Sequence, residues 1–64
     1  MNKYIFEKYV LEMKQIYLTT LADASNLRYL LESFYGLDQA HVEEILLTSK
    51  ELIDDHLKKA HNYE

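Results

Sequence analysis

Side chains at Phe6, Val10, Met13, Tyr17, Thr20, Ala24, Leu27, Leu31 and Phe34 follow one another at alternating steps of four and three, almost all of them apolar. That spacing is a heptad seam, which keeps one face of an α-helix turned toward a neighbour. It predicts a long first helix over about residues 3–35. The weak stretch is Thr19 to Asn26, where Thr19, Thr20, Asp23, Ser25 and Asn26 favour caps and turns over helix interiors. A break near 22–25, with Asp23 or Ser25 capping a new helix, is the alternative and leads to a three-helix bundle. Tyr17, Thr20, Ala24 and Leu27 hold the phase across the doubtful stretch, so the pattern favours continuity.

The clear turn is Tyr35-Gly36-Leu37-Asp38. Gly36 suits the left-handed position that ends a helix, and Asp38 suits the cap that starts the next. Leu37 and Val42 have the spacing of a hydrophobic staple. A second helix is predicted over about 39–60, with an apolar face of Val42, Ile45, Leu46, Ser49, Leu52, Ile53, His56, Leu57 and Ala60. The short link folds it back as an antiparallel helical hairpin. Counting outward from the turn sets Phe34 near Val42, Leu31 near Ile45, Leu27 near Ser49, Ala24 near Leu52 and Thr20 near His56.

The two predicted helices differ in length, so the seam around Phe6 and Val10 is expected to overhang its partner. Tyr9, Ile16 and Leu30 on one flank and Leu11, Leu18 and Leu21 on the other widen the apolar arc to roughly 220°, counting ~3.6 residues per turn. That is more than one neighbouring helix covers. The hairpin is therefore expected to dimerise into a four-helix bundle or to dock on a partner protein. Tyr4, Phe6, Tyr9, Val10, Met13 and Ile16 are the candidate partner-binding residues. Six tyrosines in 64 residues strengthen that choice, since tyrosine buries area while keeping a polar tip wet.

Size sharpens the need for a neighbour, because a chain this short buries only roughly 60% of the surface it exposes when unfolded. The absence of cysteine removes disulfides and thiolate metal sites from the possible staples. The net charge of −4 works against a phosphate-binding surface. No apolar run approaches the ~20 residues that span a bilayer, and lysines and glutamates interrupt the start of the chain. A cytoplasmic, membrane-free protein is expected.

Candidate chemistry is sparse. His56 falls on the apolar face, where a histidine could carry a proton or simply bond a hydroxyl. His41 with Glu44 makes an H-x-x-E pair, and His56 with His61 adds further nitrogen ligands. A metal site in a bundle needs such groups to converge with carboxylates from other helices, so no metal or other cofactor is expected. Glu51, Asp54 and Asp55 form an acidic edge that reads as a solvated face with helical ion pairs. Lys3, Lys8, Lys58 and Lys59 gather at the open end of the hairpin, opposite Glu32, Asp38, Glu43 and Glu44 at the turn, a polarity that could orient a charged partner.

Tyr35-Gly36-Leu37, Val42 and Ser49-Lys50-Glu51-Leu52 together resemble the small two-helix phosphatases of sporulating bacteria that act on phosphorylated response regulators. The likeness covers about a third of the chain, with Ile53 standing where that family's Ser-x-x-Leu-Asp motif has its aspartate. It implies aspartyl-phosphate phosphatase activity as an alternative; catalysis or phosphotransfer centred on Ser49, Asp54, Asp55 and His56 is that rival reading. The plasmid copy-control protein that dimerises as a four-helix bundle of hairpins is similar in length and architecture. A weak nucleic-acid-binding role for the lysine end is a second alternative. The leading expectation is a small non-enzymatic regulatory or adaptor protein that acts through the apolar face of its N-terminal helix.

Overall fold

The computed structural model describes residues 2–62, with side-chain surroundings as far as residue 60. Tyr63 lies outside the described residues, and the side chain of His61 lies outside the described side chains. The chain is all-helical over this range: α1 is Lys3–Thr20, α2 is Ala24–Tyr29 and runs on into a π-helical turn at Leu30–Phe34, and α3 is Gln39–Asn62. Among the described residues there is no strand.

The first long helix is therefore interrupted, and the three-helix alternative describes the chain. Asn2 caps α1 by accepting the Tyr4 N–H at 2.7 Å. At the other end the Thr19 and Thr20 hydroxyls donate back to the carbonyls of Gln15 and Ile16, at 2.9 and 2.7 Å. Such back-bonding competes with the helix for its own carbonyls and weakens the last turn. Leu21 then turns left-handed at φ 57°, its N–H held by the Tyr17 carbonyl at 2.8 Å. Asp23 caps α2 by accepting the Asn26 N–H at 3.0 Å. Heptad phase survives the corner at its ends, where Tyr17 and Leu27 both turn inward, but Thr20 and Ala24 are exposed.

Which residues meet across helices fixes the path. Lys3 shares a recess with His41 and Glu44, Val10 lies beside Thr48 and Leu52, and Tyr17 lies beside Ser49 and Ile53. Thus α1 and α3 run in the same direction. Helix α2 returns alongside this pair, with Ala24 near Ile53 and Asp54, and the chain beyond its π-turn sets Tyr35 against Tyr9 and Glu12. The expected neighbours Leu27 and Ser49 line one recess.

The core is Val10 and Met13 from α1, Leu27 and Leu31 from the returning segment, and Val42 and Ile45 from α3. Burying a side chain of this size contributes roughly 1.5–3 kcal/mol, so these few positions dominate the stability. The expectation that the start of α1 overhangs is overturned, because the break at Leu21 lets α2 and α3 close over Val10 and Met13. The overhang lies elsewhere. Helix α3 has 24 residues, about 36 Å at ~1.5 Å per residue, against about 27 Å for the 18 of α1. Its end projects beyond the other two helices, and every described side chain from Asp54 to Ala60 is exposed.

The π-turn corrects a second expectation. The Tyr35 N–H bonds the Leu30 carbonyl at 3.1 Å, and the Leu37 N–H bonds the Leu31 carbonyl at 3.0 Å. Such a turn fits one more residue than an α-turn, which sets the helical phase back by a position. Tyr35 then falls in line with Leu31 and is partly buried, while Phe34, expected against Val42, is 76% exposed. The Tyr35 ring meets Tyr9 at 5.0 Å and Phe34 at 5.4 Å, edge-on in both cases.

Candidate association surface

The structure divides the six residues expected to bind a partner. Tyr4 stands out at 85% exposure. Phe6, Tyr9 and Ile16 are partly buried and pack on the core, and Tyr9 is engaged by Tyr35. Val10 and Met13 belong to the chain's own interior, at 3% and 0% exposure. The apolar surface that remains on α1 is a narrower strip than the heptad wheel implies.

That strip borders a groove between α1 and α3. Phe6, Glu7, Val10 and Leu11 form one wall, and Thr48 and Leu52 form the other, around about 340 Å³. Phe6 also joins Lys3, His41 and Glu44 around an adjoining recess of about 400 Å³. The floor is apolar and the rim carries both signs of charge. Leu11 is 57% exposed at its edge. The contribution of Thr48 went unseen in the sequence, although Glu44, Thr48 and Leu52 repeat every four residues and so form one row along α3.

Side-chain bonds fasten α2 to both walls. The Tyr35 hydroxyl donates to Glu12 Oε2 at 3.0 Å. This bond to the neutral phenol, with burial and the carboxylate charge, raises the Tyr35 pKa above its ordinary value. Arg28 bridges Glu43 on α3 and Glu32 on its own segment. The Arg28 hydrogen bond to Glu43 lowers the carboxyl's pKa, and the same bond raises that of the guanidinium.

Of the groups considered for chemistry, His56 is the one placed differently from expectation, while Glu51, Asp54 and Asp55 form the expected exposed edge. Ser49 is buried at 1% exposure, its one hydroxyl proton directed to the carbonyls of Ile45 at 2.6 Å and Val10 at 3.3 Å. It pins α3 to α1. Asp54 lines the same recess of about 220 Å³ as Ser49, whereas Asp55 and His56 lie on the projecting end of α3 and are exposed. His56 therefore does not meet Thr20, whose hydroxyl is bonded within α1. His41 Nδ1 is engaged by Asp38, the cap of α3, rather than by Glu44. Among the described residues no three acidic or histidine side chains are grouped as a metal ion would require. No described helix is long and apolar enough to cross a membrane.

Comparison with protein-family models, with curated proteins and with solved structures finds no match.

Proposed function

We propose that this chain is a small regulatory or adaptor protein of the cytoplasm that works by binding another protein and performs no catalytic step. The binding surface is the groove between α1 and α3 together with the exposed start of α1. Tyr4 and Phe6 mark its lower end, and Leu11, Thr48 and Leu52 mark its middle. The observation that carries this reading is the exposed Leu11 beside an apolar groove bounded by two helices running in the same direction. An amphipathic helix from a partner fits such a groove by laying its apolar face between the walls. It would complete a four-helix bundle from three helices of this chain and one of the partner.

The test is comparative capture from the native host with chemical crosslinking, using the wild-type chain and Leu11→Glu. Position 11 is exposed enough for the variant to keep its fold, which circular dichroism verifies. A protein crosslinked by the wild type and lost with folded Leu11→Glu is the expected result. Recovery of the same proteins by both chains, or of none by either, overturns the reading.

A further inference from the structure

The projecting end of α3 carries a different surface. Up to Ile53 the inward face of α3 is covered: Val42, Ile45, Ser49 and Ile53 are buried. Tyr17, in the last turn of α1, and Ala24, the first residue of α2, line the recess shared by Ile53 and Asp54. The helix continues to Asn62, about 13 Å further at ~1.5 Å per residue. The face that was buried continues with it as His56, Leu57 and Ala60, at the three-and-four spacing of a packed helix, and all three are exposed. A helix that keeps its packing face beyond its own bundle is built to meet another surface.

The charges beside this face indicate which surface. Residues 53–60 read Ile-Asp-Asp-His-Leu-Lys-Lys-Ala. Reversed, the segment matches itself with every charge inverted: Ile53 against Ala60, Asp54 against Lys59, Asp55 against Lys58, His56 against Leu57. We infer that the end of α3 pairs antiparallel with the same segment of a second copy of this chain, about a twofold axis between His56 and Leu57.

Helix geometry makes the pairing specific. Residues four apart share a flank, so Asp55 and Lys59 lie on one side of the apolar strip and Asp54 and Lys58 on the other. In an antiparallel pair related by a twofold axis, each flank meets the same flank of its mate. On both sides the acid of one copy then faces the base of the other. A parallel pair sets aspartate on aspartate and lysine on lysine, which is repulsive. Lys59 already reaches along its flank to Asp55 of its own helix at 3.1 Å. The shared interface covers Leu57 and Ala60 of both chains and closes the space above each bundle's α1–α2 corner. It uses no residue of the groove between α1 and α3, and the two surfaces stand or fall separately.

Sedimentation equilibrium on the full chain, from low micromolar to millimolar concentration, tests this. The wild type is expected to show a reversible monomer–dimer equilibrium. Leu57→Glu should weaken it at least tenfold, and so should each of two charge reversals, Asp54→Lys with Asp55→Lys, and Lys58→Asp with Lys59→Asp. These positions are exposed, and circular dichroism confirms that each variant is folded. Mixing the two reversed chains should restore dimers, since all four positions then face opposite charge. A wild type that stays monomeric, a dimer insensitive to these changes, or a mixture that stays monomeric overturns the inference. A dimer broken by Leu11→Glu and untouched by the charge reversals overturns it as well, and places self-association in the groove instead.

Discussion

The two corners of the bundle are built alike, although only one announces itself. At the first, Leu21 is left-handed, Ala22 is half-buried and Asp23 caps the next helix; at the second, Gly36, Leu37 and Asp38 hold the same three places. The left-handed φ angles are 57° and 68°. Each aspartate accepts the N–H three residues on at 3.0 Å, Asn26 in one case and His41 in the other. The recurrent device is a left-handed residue, one apolar residue packed on the core, then an aspartate cap. Glycine is the low-strain choice for the first place. Leu21 fills it against a steric cost of about 1–2 kcal/mol, and the chain turns there because the surrounding bonds hold it.

If the corners are equivalent, exchanging their first residues should move stability in opposite directions. Gly36→Leu gives the second corner the strain of the first. A Cβ at Gly36 meets nothing within 4 Å, so the cost is confined to the backbone. Strain of about 1–2 kcal/mol, partly offset by the lower entropy of the unfolded chain, leaves a loss of about 1 kcal/mol. Urea denaturation should show it as a lower midpoint with an unchanged slope. An unaltered midpoint would mean that the second corner does not depend on its glycine.

This pairing also explains which parts of the fold were legible. Gly36 and Asp38 are residue types that state a turn by themselves, and the start of α3 follows from them. Asp23 reads as a helix cap, but leucine carries no signal for a left-handed conformation. The steady phase of Tyr17 and Leu27 concealed the interruption because antiparallel neighbours can both face one core. The inward turn of Tyr35 was hidden for a related reason, since a π-turn changes the phase without changing the residue types. Of the candidate surface, Phe6 could be chosen from the heptad pattern and Tyr4 from its residue type beside it. The burial of Val10 and Met13 and the exposure of His56 both follow from the break at Leu21, and without that break the pattern places the overhang at the start of α1 instead of the end of α3.

The reciprocal exchange, Leu21→Gly, is expected to have a smaller effect of the opposite sign. Relief of strain favours the folded state, while the added freedom of glycine favours the unfolded one by about 0.4–1 kcal/mol. The Leu21 side chain is 75% exposed, so little packing is lost. A net gain of about 0.5 kcal/mol should raise the urea midpoint slightly. A lower midpoint would show that the Leu21 side chain contributes contacts which outweigh its backbone strain, and the corners would then differ in kind.

The least of the three effects concerns the cap of the second corner. The Asp38 carboxyl accepts the His41 backbone N–H and also engages the His41 ring. These two bonds, in that order, hold its pKa below the ordinary value. A carboxyl lowered on folding stabilises the native state fully above its unfolded pKa, about 3.9, and loses that contribution as pH falls through the folded value. Asp38→Asn keeps an effective cap but has no carboxyl to titrate. The variant should be slightly less stable than the wild type at pH 7, and the difference should vanish in acid below both pKa values. Glu43, also lowered by its Arg28 partner, titrates in both proteins and cancels from the comparison. Urea midpoints measured for the two proteins from pH 7 down to about pH 2 should therefore converge. A gap that stays constant across that range would assign the cap of the second corner to geometry alone, with no contribution from the charge of Asp38.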